Sequence, residues 1–173
     1  DDSVFGWLVC LVCYPPFLAV FIAIKGQVDN VSWEVWLTPE QSFYWIWAFF
    51  VVSSWMCYWF STASFGSRFS NLTYRGLIAH GPYRYTKHPA YLAKNIYWWL
   101  HTVPFVGVDS WGEVLRNVAG MAAVNLIYYL RAKTEERHLR RFPEYSAYCD
   151  WIAEYGLWAR IRRRFPLKKA RDA

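Results

Sequence analysis

Four long apolar runs divide this chain: Ser3 to Ile24, Ser42 to Phe60, Tyr91 to Val108 and Trp111 to Leu130. Each comes close to the roughly 20 residues that a helix needs to cross about 30 Å of hydrocarbon. The first two hold no charged side chain. Lys94, Asn95, His101 and Pro104 interrupt the third, and Glu113 and Arg116 lie near the start of the fourth. Taken alone, the last two would also suit a buried helix pair in a soluble protein, but the two uncharged runs beside them argue for membrane spans. The pattern predicts an all-α fold, a polytopic transmembrane helical bundle of about four spans. Pro15-Pro16, in the middle of the first run, predicts a kink or a break there.

The polar stretches between the runs orient the bundle. The loop from Ser61 to Pro89 carries Arg68, Arg75, Arg84 and Lys87 with no acid, and most of the other basic residues follow Leu130. Basic residues flanking spans stay in the cytoplasm. The connection from Lys25 to Gln41 sets one Lys against Asp29, Glu34 and Glu40, and the turn around Asp109 has no base, so both face the other side. Four spans with both ends inside satisfy this arrangement. The chain then divides into a transmembrane region, 1–130, with a cytoplasmic loop 61–90, and a cytoplasmic region, 131–173, of helices and a basic tail. Pro143 with Glu144 suits the first turn of one such helix, a lid or collar with Tyr145, Tyr148, Cys149 and Ile152 along one face.

Composition supports a membrane setting. Of 173 residues, 55% are hydrophobic, 21% aromatic and only 18% charged, whereas a soluble domain carries about 25% charged residues. The 12 Trp suit the boundary between hydrocarbon and headgroups. A net charge of +6 raises the question of nucleic acid, but bases clustered beside spans are accounted for by topology and anionic headgroups. No nucleic-acid partner and no obligate protein partner are expected. Arg160, Arg162, Arg163, Arg164, Lys168, Lys169 and Arg171 read as an anchor on membrane lipid. Cys10 and Cys13 lie inside an apolar run without a second pair or a nearby His, so they read as packing residues and no metal site is expected. Asn71-Leu72-Thr73 forms a glycosylation sequon that this topology leaves in the cytoplasm. Without a basic flank or a small-residue cleavage pattern, the first run is not a signal peptide. The chain opens on Asp1 without Met, which reads as trimming or as a piece of a longer protein.

The candidate chemistry sits at the mouths of the third and fourth runs. Gly81-Pro82-Tyr83-Arg84-Tyr85-Thr86-Lys87-His88-Pro89-Ala90-Tyr91 is polar, basic and aromatic, and it abuts the third run. Pro89 suits a first helical turn and leaves His88 at or beside the N-cap, where free backbone N–H groups welcome an anionic or polar ligand. Tyr83, Tyr85 and Tyr91 offer flat surfaces for stacking an aromatic ring. Beyond the fourth run, Arg131 and Glu135 are four residues apart and share a helix face near the membrane boundary, where ionisable groups face an interior or a wet cavity. Glu136 with Arg140 is expected on the solvated face.

The run from Gly81 to Tyr91, the segment Arg131-Ala-Lys-Thr-Glu135-Glu136 and the segment Phe142-Pro-Glu144-Tyr145-x-x-Tyr148 resemble the isoprenylcysteine carboxyl methyltransferases and their phospholipid N-methyltransferase relatives. The resemblance spans about Leu77 to Tyr148. It implies S-adenosyl-L-methionine as cofactor, with contacts from Leu77, Ile78, Tyr83, His88, Pro89, Ala90, Tyr91 and Glu135. It implies that Arg131 holds the carboxylate of a lipophilic or prenylated acceptor, so that Arg131 and Glu135 serve the reaction itself. A site facing the cytoplasm from the bacterial inner membrane, or from the endoplasmic reticulum of a eukaryote, follows. Lys87 stands where Arg is usual, and the stretch from Ser64 to Gly76 departs from the eukaryotic prenylcysteine enzymes. Methylation of a phospholipid or another amine is the alternative, as is an NADPH-dependent enzyme like the membrane sterol reductases, which share the His-Pro-x-Tyr element.

Overall fold

A computed structural model describes residues 3–26, 32–66, 74 and 76–165. The sequon Asn71-Leu72-Thr73, Arg68, Arg75, Asp29 and the tail residues Lys168, Lys169 and Arg171 lie outside the described residues, as does most of the stretch from Ser64 to Gly76. Among the described residues the fold is all-helical, with eight α-helices and one 3₁₀ turn.

The first apolar run is two short helices, α1 (Val4–Leu11) and α2 (Leu18–Lys25), separated by residues 12–17. Ser3 caps α1 by accepting the Gly6 N–H at 3.0 Å. Pro15 and Pro16 lie in the gap, where each withholds a backbone donor from a continuous helix. A single turn, α3 (Trp33–Trp36), follows in the connection. The second run forms α4 (Ser42–Ala63), a helix long and apolar enough to cross a membrane. Its hydroxyls turn back on the helix itself: Ser54 donates to the Val51 carbonyl at 2.8 Å, Ser61 to Cys57 at 2.7 Å and Thr62 to Tyr58 at 3.0 Å. These bonds satisfy the hydroxyls within the helix itself.

The 3₁₀ turn (Gly81–Arg84) leads into α5 (Pro89–Thr102), which is shorter than the expected run to Val108. It stops at Val103, a buried β-branched residue held in the left-handed region at φ 40. Val103 packs there with Trp33, Leu37 and Val51. The fourth run becomes α6 (Trp111–Leu139), 29 residues long, continuing past Leu130 as expected. The C-terminal helices are α7 (Pro143–Tyr155) and α8 (Leu157–Arg164).

Two packing relationships build the bundle. The α1–α2 pair lies antiparallel along α6: Arg137 donates to the Ser3 hydroxyl at 2.8 Å, Phe21 meets Tyr128 edge to face, and Lys25 reaches Gly120. Helix α4 packs on α5, where the Trp47 indole donates to the Leu100 carbonyl at 2.9 Å. Large apolar side chains cover the outside, including Trp111 at 85% exposed and Trp45 and Phe49 at 65% each. Of the four expected spans, only α4 meets the requirement of length and hydropathy as one helix. The first run is broken, α5 has 14 residues, and α6 carries Glu113 and Arg116 in its first turns.

Candidate functional site

The mouths of the third and fourth runs do converge. A partly open pocket is lined by Tyr83, His88, Ala90, Tyr91, Arg131 and Glu135. Pro89 is buried just behind them as the first residue of α5, with His88 at the N-cap position. Leu77 and Ile78 are not among the lining residues. Leu77 packs against the Tyr145, Tyr148, Cys149 and Ile152 face of α7, and Ile78 is buried. Tyr85 turns away from the pocket: it is exposed, its carbonyl accepts the Leu157 N–H at 2.7 Å, and Arg160 of α8 lies over its ring at 5.6 Å.

Tyrosine rings organise the pocket. Tyr91 stacks on His88 at 5.6 Å and on Tyr128 at 5.9 Å between centroids. The Tyr91 hydroxyl donates to Glu135 at 3.1 Å. The Arg131 guanidinium lies 5.3 Å over Tyr91 and 5.5 Å over Tyr14. Cation–π contact of this kind orients a guanidinium while leaving its charge intact. Burial pushes the Tyr83 hydroxyl well above the ordinary phenol range, with Glu135 adding to the effect, so it remains a neutral donor.

One expectation is overturned. Glu136 does not sit on the solvated face with Arg140; it is buried, with Lys87 Nζ at 2.7 Å and His88 Nε2 at 3.1 Å from the same carboxylate oxygen. The reason is tertiary: α6 turns Glu136 toward the loop before α5, whose two basic groups offset the cost of burying a carboxylate. The hydrogen bond with His88, reinforced by Lys87 and opposed by burial, holds the Glu136 carboxyl down to about 2. Lys87 thereby meets one oxygen as a point charge, a contact that does not require the forked geometry of Arg.

Helix α7 packs over Leu77 and the 3₁₀ turn that carries Tyr83. Its predicted face is buried, and the Tyr148 hydroxyl donates to the Tyr83 carbonyl at 2.6 Å. Tyr74 bonds to Glu144 and stacks on Phe142 at 4.1 Å.

Tyr14, Tyr58, Thr62, Lys94 and Tyr128 also line the pocket, and sequence reasoning did not select them. Tyr128 stands three residues before Arg131 and seven before Glu135, so helical spacing placed it on the same face. Tyr58 and Thr62 show the same four-residue spacing on α4. Tyr14 had no such signal, because it lies in the non-helical break of residues 12–17.

Comparison with known proteins bears on what such a pocket serves. The isoprenylcysteine carboxyl methyltransferase (ICMT) family matches residues 46–141, more than half of the chain, a range that includes His88, Arg131 and Glu135. No curated protein and no solved structure matches the chain. The match favours methyl transfer over NADPH-dependent reduction. The chain belongs to the isoprenylcysteine carboxyl methyltransferase family and is a membrane-associated methyltransferase.

Proposed function

We propose that this protein is an S-adenosyl-L-methionine-dependent carboxyl O-methyltransferase for a lipophilic, isoprenylcysteine-like acceptor. The observation that carries this reading is the meeting of Arg131 and Glu135 with His88, Ala90, Tyr91 and Tyr83 in one pocket. The residues fit the cofactor. Glu135 is a carboxylate with about four lone-pair sites, of which the Tyr91 hydroxyl takes one, so it can attract a cation. The Tyr83 and Tyr91 rings offer faces for an aromatic base. When bound there, the cofactor supplies a methyl group already activated on a sulfonium.

Arg131 positions the acceptor carboxylate, which is ionised at neutral pH and needs no general base. Glu135, one turn further along α6, draws positive charge into the pocket. The surrounding tyrosines exclude water and fix direction, so that catalysis is mainly alignment. Leu77, Ile78 and Pro89 act from behind the lining, by supporting the loop and the start of α5.

The frame is read as multi-span, with the pocket at the cytoplasmic face, in the bacterial inner membrane or the endoplasmic reticulum. Three features support this: the apolar outer surface of the bundle, the basic loop 61–90, and the break at residues 12–17. Non-helical backbone at membrane depth is tolerated where it lines a cavity, and Tyr14 of that break lines this one. Residues 131–173 then form the cytoplasmic part, with α8 and its arginines resting on lipid headgroups.

The test is transfer of a labelled methyl group from S-adenosyl-L-methionine to a membrane extract by the purified protein. Label released by mild alkali is the expected result, because an ester is cleaved. Alkali-stable label would overturn the carboxyl reading in favour of nitrogen.

A further inference from the structure

Lys94 interrupts the third apolar run and has no part in the proposed grip of Arg131 and Glu135. It lies in the same pocket as Arg131. Its ammonium sits 5.2 Å over the Tyr128 ring and 5.5 Å over the Tyr58 ring. Arg131 lies 5.3 Å over Tyr91 and 5.5 Å over Tyr14. Tyr91 and Tyr128 are themselves stacked, 5.9 Å apart and inclined by 29°. The two cations therefore stand on the two members of one stacked pair, and each also meets a second tyrosine.

Neither cation is neutralised. Among the described residues, the ion pairs join Lys87 and His88 to Glu136, and neither Lys94 nor Arg131 has a carboxylate partner. Glu135 receives the Tyr91 hydroxyl. A charged side chain within an apolar segment is costly and is retained where it meets a partner or a ligand. Lys87 of the lining is engaged by Glu136, which leaves two unpaired cations against one carboxylate; this favours an anion in the pocket, and an ammonium acceptor would be repelled by both.

We propose that Lys94 is a second anion-binding group of the acceptor site and shares with Arg131 the carboxylate of a lipophilic carboxylic acid. This assignment rests on the carboxyl O-methylation reading. Lys94 lies three residues, nearly one helical turn, beyond Tyr91 along α5. The carboxylate is thereby held between the turn that starts α5 and the next turn into the apolar segment, with the acceptor's tail free to run into lipid.

The experiment uses the full chain in detergent micelles, with an S-prenylated N-acetylcysteine as carboxylate probe and its primary amide as neutral control. Binding of both is measured for the wild type, Lys94→Met and Lys94→Arg, alongside binding of S-adenosyl-L-methionine and the alkali lability of the methylated product. The wild type prefers the carboxylate. Lys94→Met lowers affinity for the carboxylate about tenfold, the scale of a charge-assisted hydrogen bond, and leaves the amide and the cofactor unaffected. Lys94→Arg restores the preference. A wild type with no preference, a Lys94→Met variant that keeps it, or equal weakening of both probes would overturn the assignment. A preference that depends on Lys94, found together with alkali-stable label, would support the anion grip and sink the carboxyl methylation reading alone.

Discussion

The ammonium of Lys87 lies 2.7 Å from Oε1 of Glu136, tying the loop before α5 to the C-terminal end of α6. His88 shares the same oxygen at 3.1 Å. The three residues form a brace: His88 and Lys87 fix the start of α5, and Glu136, which the sequence pattern placed on the solvated face, is what they are fixed to.

The brace has a pH signature. Its carboxyl is held at about 2, against an ordinary value of 4.5. A depressed folded-state value means that the stabilisation is complete above about 4.5 and fades as pH falls from there toward 2. Glu136→Gln is expected to cost about 2 kcal/mol at pH 7, less than a fully buried pair because Lys87 is partly exposed. Thermal unfolding of both proteins in detergent at pH 7 and pH 3 reads the gap, which narrows at the lower pH. A gap of the same size at both pH values would show that its origin is not the ionised carboxylate.

Arg131 and Glu135 are expected to separate two kinds of loss. Arg131→Ala raises the acceptor KM with little change in cofactor affinity. Glu135→Ala weakens cofactor binding, by about tenfold for a lost charge-assisted contact. Direct binding of S-adenosyl-L-methionine, set beside acceptor kinetics, distinguishes them. Full activity in both variants would remove this pair from the site.

Tyr148→Phe deletes the hydroxyl that donates to the Tyr83 carbonyl at 2.6 Å. The loss leaves a buried acceptor without that donor, at a cost of about 1 kcal/mol. Because Tyr83 lines the pocket, a fall in cofactor affinity should accompany the lower melting temperature. A variant that melts earlier yet binds the cofactor normally would confine α7 to a structural role.

Gly120 offers a test of sign. On an open helix surface, replacing Gly by Ala stabilises by about 1 kcal/mol. Here a Cβ would collide with the Lys25 backbone carbonyl at the end of α2, so Gly120→Ala is expected to destabilise and to loosen α2 from α6. A raised melting temperature would show that the two helices are not in this contact.

The helical class, the break near Pro15-Pro16, the continuation beyond Leu130 and the buried face of α7 were all legible from periodicity and proline placement. So was the convergence of Arg131, Glu135 and the His88 loop on one pocket. Glu136 was misplaced because its favourable spacing to Arg140 is a property of one helix, whereas its partners come from another element 48 residues away. Tyr85 was misplaced for a related reason: residues before a helix start have no period, and α8 claims its ring. Tyr14 had no helical partner to point it inward, and Lys94, though one turn beyond Tyr91, read as an interruption of an apolar run; only the packing of α1–α2, α4 and α6 around α5 brings them together.

Helix α6 carries a final consequence. At about 1.5 Å per residue, its 29 residues form a rod roughly 44 Å long, well over the thickness of bilayer hydrocarbon. Arg131, Glu135 and Glu136 ride on its C-terminal turns, so on the proposed multi-span topology bilayer thickness sets how deeply these charges lie relative to the lipid headgroups. On that topology lipid chain length is expected to act as a dial on turnover: bilayers that are too thick would draw the proposed acceptor grip below its substrate, and thin ones would leave it stranded in water.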